Sequence, residues 1–297
     1  MENPLHEPEA QALKDLESII GEKIPQLRSI KGGTTGVYSF GFMQEEDHIV
    51  ALSLRDMGLR TLPDTLKELE YLQRLYLRDN QLETIPECVC ELPKLLDLDV
   101  FNNKISTIPE SIDQLEILER ADLSRNFIKT LPESIGNLKA LKRLGLMDVH
   151  LEELPESIGR LKNCWDLAIF INKLESIPDS IGEMSSLTRL GAHKNRLTEL
   201  PDSICSIATL KDLSLHTNRL SDLPMNIGRL TNLENLRLEG NVLETLPESI
   251  TQLSSLKGLN ISKNKFVWLP QGVKEWLESL ETNGCRVRMN VKQKLLL

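Results

Sequence analysis

Large aromatic rings are scarce in this sequence: three tryptophans, three tyrosines and six phenylalanines among 297 residues. A core with so few rings has to be filled by aliphatic side chains, and a hydrophobic share of 40% supplies them. Cysteine is equally sparse. Cys88, Cys90, Cys164, Cys205 and Cys285 are odd in number and scattered, which argues against a disulfide framework. Cys88-Val89-Cys90 has no further Cys or His close by to complete a zinc site. No segment approaches the roughly 20 consecutive apolar residues of a membrane span. The start, Met1-Glu2-Asn3-Pro4-Leu5-His6-Glu7, lacks the basic and apolar regions of a secretory signal. Long runs of Lys and Arg are also missing and the formal net charge is −9, so a nucleic-acid partner is disfavoured. These absences predict a protein of the reducing cytoplasm, with no membrane attachment, metal or cofactor.

What is abundant is repetition. Ten prolines recur every 23 residues, at Pro63, Pro86, Pro109, Pro132, Pro155, Pro178, Pro201, Pro224, Pro247 and Pro270. Asn80, Asn103, Asn126, Asn172, Asn195, Asn218, Asn241 and Asn264 keep the same beat, and Val149, between Asp148 and His150, breaks it. A period of this length means a solenoid, in which each unit buries its apolar side against its neighbours. In the unit Leu75 to Asp97, Leu75 and Leu77 alternate with Tyr76 and Arg78, the period of a short strand. Pro86 suits the first position of a helical turn. Val89, Leu92 and Leu95, three residues apart, predict a helical or 3₁₀ segment on the outer side. The asparagine amide carries donors and an acceptor, so at the bend after each strand it can satisfy backbone groups of adjoining units in a ladder. Acidic residues usually follow the proline, as at Asp64, Glu87, Glu110 and Glu133, where the dipole of a helix start favours them.

The pattern LxLxxNxLxxLPxxIxxLxxLxx, seen in Leu233-Glu234-Asn235-Leu236-Arg237-Leu238-Glu239-Gly240-Asn241 and in Leu131-Pro132-Glu133-Ser134-Ile135-Gly136-Asn137-Leu138, resembles the leucine-rich repeat family. It looks like the 23-residue LPxxI subclass found in Ras-pathway scaffolds, plant intracellular Ras-group proteins, the Scribble and Erbin polarity proteins and Roco-type proteins. The resemblance implies an α/β horseshoe with a parallel sheet on the concave side and short helical or 3₁₀ segments on the convex side. It also implies binding of proteins, with a small GTPase as one partner class.

The ends read as caps, which a solenoid needs to cover its terminal leucines. We assign residues 1–51 to an N-terminal cap, 52–281 to ten repeats and 282–297 to a C-terminal cap and tail. Pro8 to Ile20 predicts an amphipathic helix with Ala12, Leu13, Leu16, Ile19 and Ile20 on one side, stopped by Gly21. Val37 to Phe42 and Ile49 to Leu54 predict a hairpin whose second arm becomes the first repeat strand. Lys31 to Gly36 is rich in Gly and Thr but lacks the GK[ST] of a phosphate loop. Val273, Trp276, Leu277 and Leu280 predict a longer final helix, and Arg286 to Asn290 an edge strand before a tail ending in Leu295-Leu296-Leu297.

On the concave face the non-leucine strand positions are free of packing duty, so their composition points to function. One column runs Arg55, Arg78, Phe101, Ser124, Met147, Phe170, His193, His216, Glu239 and Ser262. Its neighbour runs Ser53, Tyr76, Asp99, Asp122, Gly145, Ala168, Gly191, Ser214, Arg237 and Asn260. Small residues at the centre, rimmed by large ones, predict a partner-binding groove formed by Phe101, Met147, Phe170, Ile171 and Trp165, with Tyr76, His193 and His216 nearby. His193 and His216 without a nearby Cys or carboxylate make a weak metal set. No nucleophile–base pair or nucleotide loop stands out, so the expectation is a scaffold or adaptor for a protein partner and not an enzyme. A structural homodimer closed through the same patch is the second reading.

Overall fold

The computed structural model describes residues 4–28 and 39–290, and the chain divides into two compact units, 1–145 and 146–297. In the first unit, helix α1 (Glu7–Ile20) precedes an antiparallel hairpin of β1 (Gly41–Glu45) and β2 (His48–Ser53). The second arm of the hairpin then pairs in parallel with β3 (Arg74–Tyr76), followed by the short helix α2 (Glu87–Cys90) and by β4 (Asp97–Asp99), β5 (Arg120–Asp122) and β6 (Arg143–Gly145). The second unit carries β7 (Asp166–Ala168), β8 (Arg189–Gly191), β9 (Asp212–Ser214), β10 (Asn235–Arg237) and β11 (Gly258–Asn260), then helix α3 (Gln271–Thr282) and the edge strand β12 (Arg286–Arg288). Strand order within each unit follows the sequence, and every pairing after the hairpin is parallel.

Register explains the core. Leu190, Leu213, Leu236 and Leu259 sit directly beside one another across β8 to β11, each at most 1% exposed. Each such leucine contributes about 1.5–3 kcal/mol on leaving water. Strands of three residues suffice because the column, not the strand, is the cooperative element.

The asparagines form the expected ladder within each unit. In the second unit, Asn195 Nδ2 donates to the Ile169 and Ala192 carbonyls at 2.9 and 3.0 Å, and its Oδ1 accepts the Leu174 N–H at 3.1 Å. Asn218, Asn241 and Asn264 repeat this set. Asn80, Asn103 and Asn126 do so in the first unit. One amide therefore ties its own strand to the strand and the loop of the preceding coil. Val149 is wholly buried and its N–H, like that of Leu151, donates to Asn172 Oδ1 at 3.0 Å, so the second unit's ladder begins at Asn172.

The prolines stand just outside the helical turns and not at their first position. Pro132 has φ −68° and ψ 152°, an extended conformation, and its carbonyl accepts the Ile135 N–H at 3.1 Å. The reason is that this carbonyl has to open the 3₁₀ ladder while the ring holds the entering chain extended. The acidic residue after it is the first residue of the turn, as at Glu133–Asn137. In the next layer, glycine is forced by contact: a Cβ on Gly182 would lie 2.5 Å from the Ser203 carbonyl oxygen, and one on Gly159 2.2 Å from that of Ser180. The Ser-Ile-Gly of these turns thus lets successive coils approach backbone to backbone.

The terminal elements differ in detail from the expectation: the first hairpin arm is Gly41–Glu45, where the sequence predicts Val37 to Phe42. Ala12, Leu13 and Leu16 of α1 are buried, but Ile19 in its last turn is 47% exposed. Glu9, although charged, is buried: its carboxylate bonds His48 Nδ1 at 2.8 Å and accepts the Ile49 N–H at 2.6 Å, pinning α1 to the hairpin. Val273, Leu277 and Leu280 of α3 are buried. The Gly-Thr segment Lys31 to Gly36, residues 37 and 38 of the first hairpin arm, and the final tail lie outside the described residues. Replacing Asn195 by Ala strands three buried backbone groups, so the unfolding free energy in urea should fall by about 2–3 kcal/mol. A loss under about 0.5 kcal/mol, the scale of an ordinary surface change, would contradict the ladder's role.

Candidate functional site

Strand alternation sends Leu167 and Ile169 into the core and leaves Phe170, just past β7, on the open sheet face. His193 and His216 take the same place one and two coils later. The three rings stack: Phe170 and His193 have centroids 4.3 Å apart at 12°, and His193 and His216 4.2 Å apart at 19°. All three are half-buried, so one side of the stack meets solvent. Gly191 leaves room for the first ring, since a Cβ there would come within 3.3 Å of Phe170 Cδ1, a tight contact. The floor of small residues is therefore not an open trough at this point, because the Phe170 ring lies over it.

The stack is an uncharged platform. Burial lowers the His193 pKa to about 4, aided by His216, Lys194 and Arg237. Burial also lowers His216, and Glu239 in the next coil only partly opposes this. His193 Nδ1 shares a hydrogen bond with Ser214 Oγ at 3.3 Å, and His216 Nδ1 one with Thr217 Oγ1 at 3.3 Å. Parallel rings direct their in-plane lone pairs along separate planes, a geometry for stacking and not for gripping one ion.

The other expected residues are placed as follows. Trp165 stands at the strand entry, half-buried, with the Arg189 guanidinium carbon 4.9 Å from its ring centroid; Arg189 also meets Asp166 at 2.5 Å. Met147 is half-buried at the start of the second unit. Ile171 follows Phe170 but sits in the turn, with φ +58°. Asp79, Asn102, Arg125 and Lys194 occupy the same left-handed corner in other coils, and Gly240 does so at φ +71°. A β-branched side chain in this conformation is strained by on the order of 1–2 kcal/mol.

Tyr76 and Phe101 belong to the first unit. Tyr76 is not a groove residue: it is 4% exposed and packs with Ala51 under Leu27 and Met43, because the capping hairpin covers this strand position. Its hydroxyl donates to Asp97 at 3.3 Å. Phe101 is half-buried between two guanidinium groups, with Arg78 4.0 Å and Arg125 5.3 Å from the ring centroid. Arg78 also binds Asp99 at 2.8 Å and approaches Asp122 at 3.7 Å. Burial raises the Asp99 carboxyl to about 6, and Asp122 adds to that shift against the pull of Arg78. A shallow polar depression of about 560 Å³ elsewhere on this unit is lined by Arg55, Asp79, Asn102, Lys104 and Phe127. The sequence missed the stacking itself, although the spacing of 170, 193 and 216 was its signal.

With this geometry in view, residues 72–114 match the family described as Leucine Rich repeats (2 copies), and 198–293 match Leucine-rich repeat region. The fold is a leucine-rich-repeat solenoid. Among solved structures it is similar to a leucine-rich-repeat protein of Leptospira interrogans, with 32% identity and a TM-score of 0.74 over 80% of this chain and 59% of that one. It is also similar to the ectodomain of the Arabidopsis thaliana receptor kinase GASSHO1/SCHENGEN3 in complex with CASPARIAN STRIP INTEGRITY FACTOR 2, with 25% identity and a TM-score of 0.70 over 88% of this chain and 34% of that one. The functional domain of InlJ from Listeria monocytogenes shares the fold at 16% identity and a TM-score of 0.63, over 82% of this chain and 53% of that one; it includes a cysteine ladder, where this leucine-rich-repeat chain stacks asparagines. The chain thus spans less than two thirds of each of these proteins, and no curated protein sequence matches it. Among the described residues, no helix is long and apolar enough to cross a membrane.

Two measurements check the site. Since burial holds the folded His193 below the unfolded value, its contribution to stability is intact above about pH 6.5 and is lost as the pH falls toward about 4. The His193 ring proton should accordingly titrate near pH 4 by NMR, and a midpoint at or above 6.5 would contradict the burial described. Ile171→Asn, which suits the left-handed corner, should raise the unfolding free energy by about 1 kcal/mol in urea; an equal loss would show that the isoleucine's packing outweighs its strain.

Proposed function

We propose that the chain is a non-enzymatic scaffold or adaptor that holds a protein partner against the open sheet face of its second unit. The observation that carries this reading is the half-exposed stack of Phe170, His193 and His216 on short strands held rigid by the asparagine ladder. Aromatic groups preorganised on a rigid wall are typical binding hot spots, since little side-chain freedom is lost on contact. The fold supports it as well: leucine-rich repeats generally mediate protein–protein interaction, and the Arabidopsis ectodomain is captured with a bound factor. Trp165 and Met147 extend the same contact surface, while Phe101 with Arg78 and Arg125 forms a separate polar–aromatic patch on the first unit. In the finer reading the chain works in the cytoplasm, which rests on its scattered cysteines, and in signalling with a small GTPase as partner, which rests on the LPxxI resemblance alone.

Phe170→Glu combined with His193→Glu places charge on the platform without touching the leucine column. The double variant, immobilised on beads, should lose capture of the partners that the parent chain takes from a cell lysate, while its melting temperature stays within about 3 °C. Undiminished capture by a folded variant would end the proposal.

A further inference from the structure

Cations on the second unit fall into two groups. Some are neutralised by a neighbouring carboxylate: Arg189 by Asp166 at 2.5 Å, Lys257 by Glu234 at 2.5 Å and Lys162 by Glu183 at 2.9 Å. Lys194, Arg196, Arg219 and Arg237 are exposed and, among the described residues, have no carboxylate within 4.0 Å. Lys194 and Arg237 lie beside the ring stack, and Arg196 and Arg219 stand in the loops that follow the strands. Lys194 is the residue after His193, and its N–H donates to the His216 carbonyl at 2.9 Å. Arg237 pairs in register with Ser214, the residue whose hydroxyl meets His193. The N–H groups of Arg196 and Arg219 bond the Leu174 and Leu197 carbonyls, which sets these two side chains one coil apart along the strand-exit edge. Two of the cations are close enough to disfavour a proton on both imidazoles. The nearest opposing charge in this column is Glu239, whose Oε2 is enclosed and bonded to nothing. The chain's excess of acidic residues falls almost wholly in its first 145 residues, so an unpaired basic rim here runs against the overall balance.

Resting on the binding role proposed above, we infer that this face receives an acidic segment of a protein partner, its carboxylates meeting Lys194 and Arg237 while its apolar side chains lie on Phe170, His193 and His216. Unpaired cations beside an uncharged platform provide both parts of such recognition: charge for steering and orientation, and rings for desolvated contact. A polynucleotide would meet the same cations and rings, but its phosphates need a longer basic track than Lys194 and Arg237 provide beside them, and the Glu239 carboxylate stands in the same column.

The test uses fluorescence anisotropy of the full chain with three labelled probes: a short peptide alternating Glu and Tyr, its Lys and Tyr counterpart, and an oligothymidylate. The Glu–Tyr peptide should bind, more weakly as salt is added. Lys194→Glu with Arg237→Glu should weaken it by at least about tenfold, and Phe170→Ala should weaken it too. Arg160→Glu, the same change of charge on an exposed 3₁₀ turn, should leave it unaltered, with melting curves confirming that each variant is folded. If the Lys–Tyr peptide binds as tightly and depends on Phe170, the acidic assignment falls while the binding role stands. Tighter binding of oligothymidylate, or no binding of any probe, would overturn the inference.

Discussion

Everything in this fold depends on a buried amide. Each ladder asparagine pays its desolvation by bonding two carbonyls and an N–H that would otherwise be stranded where the strand bends into its loop. Because one side chain reaches its own coil and the one before it, a repeat is not complete by itself; it is half of two junctions. That dependence explains why strands of three residues are stable here, each adding one buried side chain to a column that is leucine throughout β8 to β11 and takes an alanine, Ala121, on β5. It also explains the glycines of the outer turns, where a single Cβ would collide with the next coil's carbonyl at 2.2 to 2.5 Å.

A rigid spine has a functional consequence. The residues facing the core, the ladder positions and the turn glycines are fixed by the stacking, whereas those on the open face are not. Along the column at 170, 193 and 216 this liberty yields three stacked rings, two of them imidazoles whose burial keeps them neutral at physiological pH. In the first unit the same liberty yields a different chemistry, a guanidinium–phenylalanine–carboxylate cluster around Arg78 and Asp99. One architecture thus displays two distinct surfaces, differing only at positions the spine leaves open.

The architecture was legible in the sequence because it is periodic. Register, ladder and outer turns follow from residues 23 positions apart, and the final helix from the helical spacing of Val273, Trp276, Leu277 and Leu280. The site was less legible where position in the repeat does not determine environment. Tyr76 shares its column with Gly191 and Ser214, yet the capping hairpin buries it, an effect that no repeat pattern records. Ile171 adjoins Phe170 in sequence but the left-handed corner turns the chain between them. The prolines read as helix starts because their φ suits that place; their ψ, set by the extended entry from the loop, decided otherwise. Glu9 was hidden in an amphipathic pattern that counts only apolar residues, although its two hydrogen bonds hold the cap helix in place.

Native-state hydrogen exchange addresses the central claim, that the spine and the open sheet face are energetically separate. The amides of Leu174, Leu197, Leu220 and Leu243, each bonded to a ladder asparagine, should exchange only through global unfolding of their unit, and a Phe170→Glu chain should show the same protection. Rapid exchange at these four amides, or its appearance on substitution of Phe170, would contradict the account.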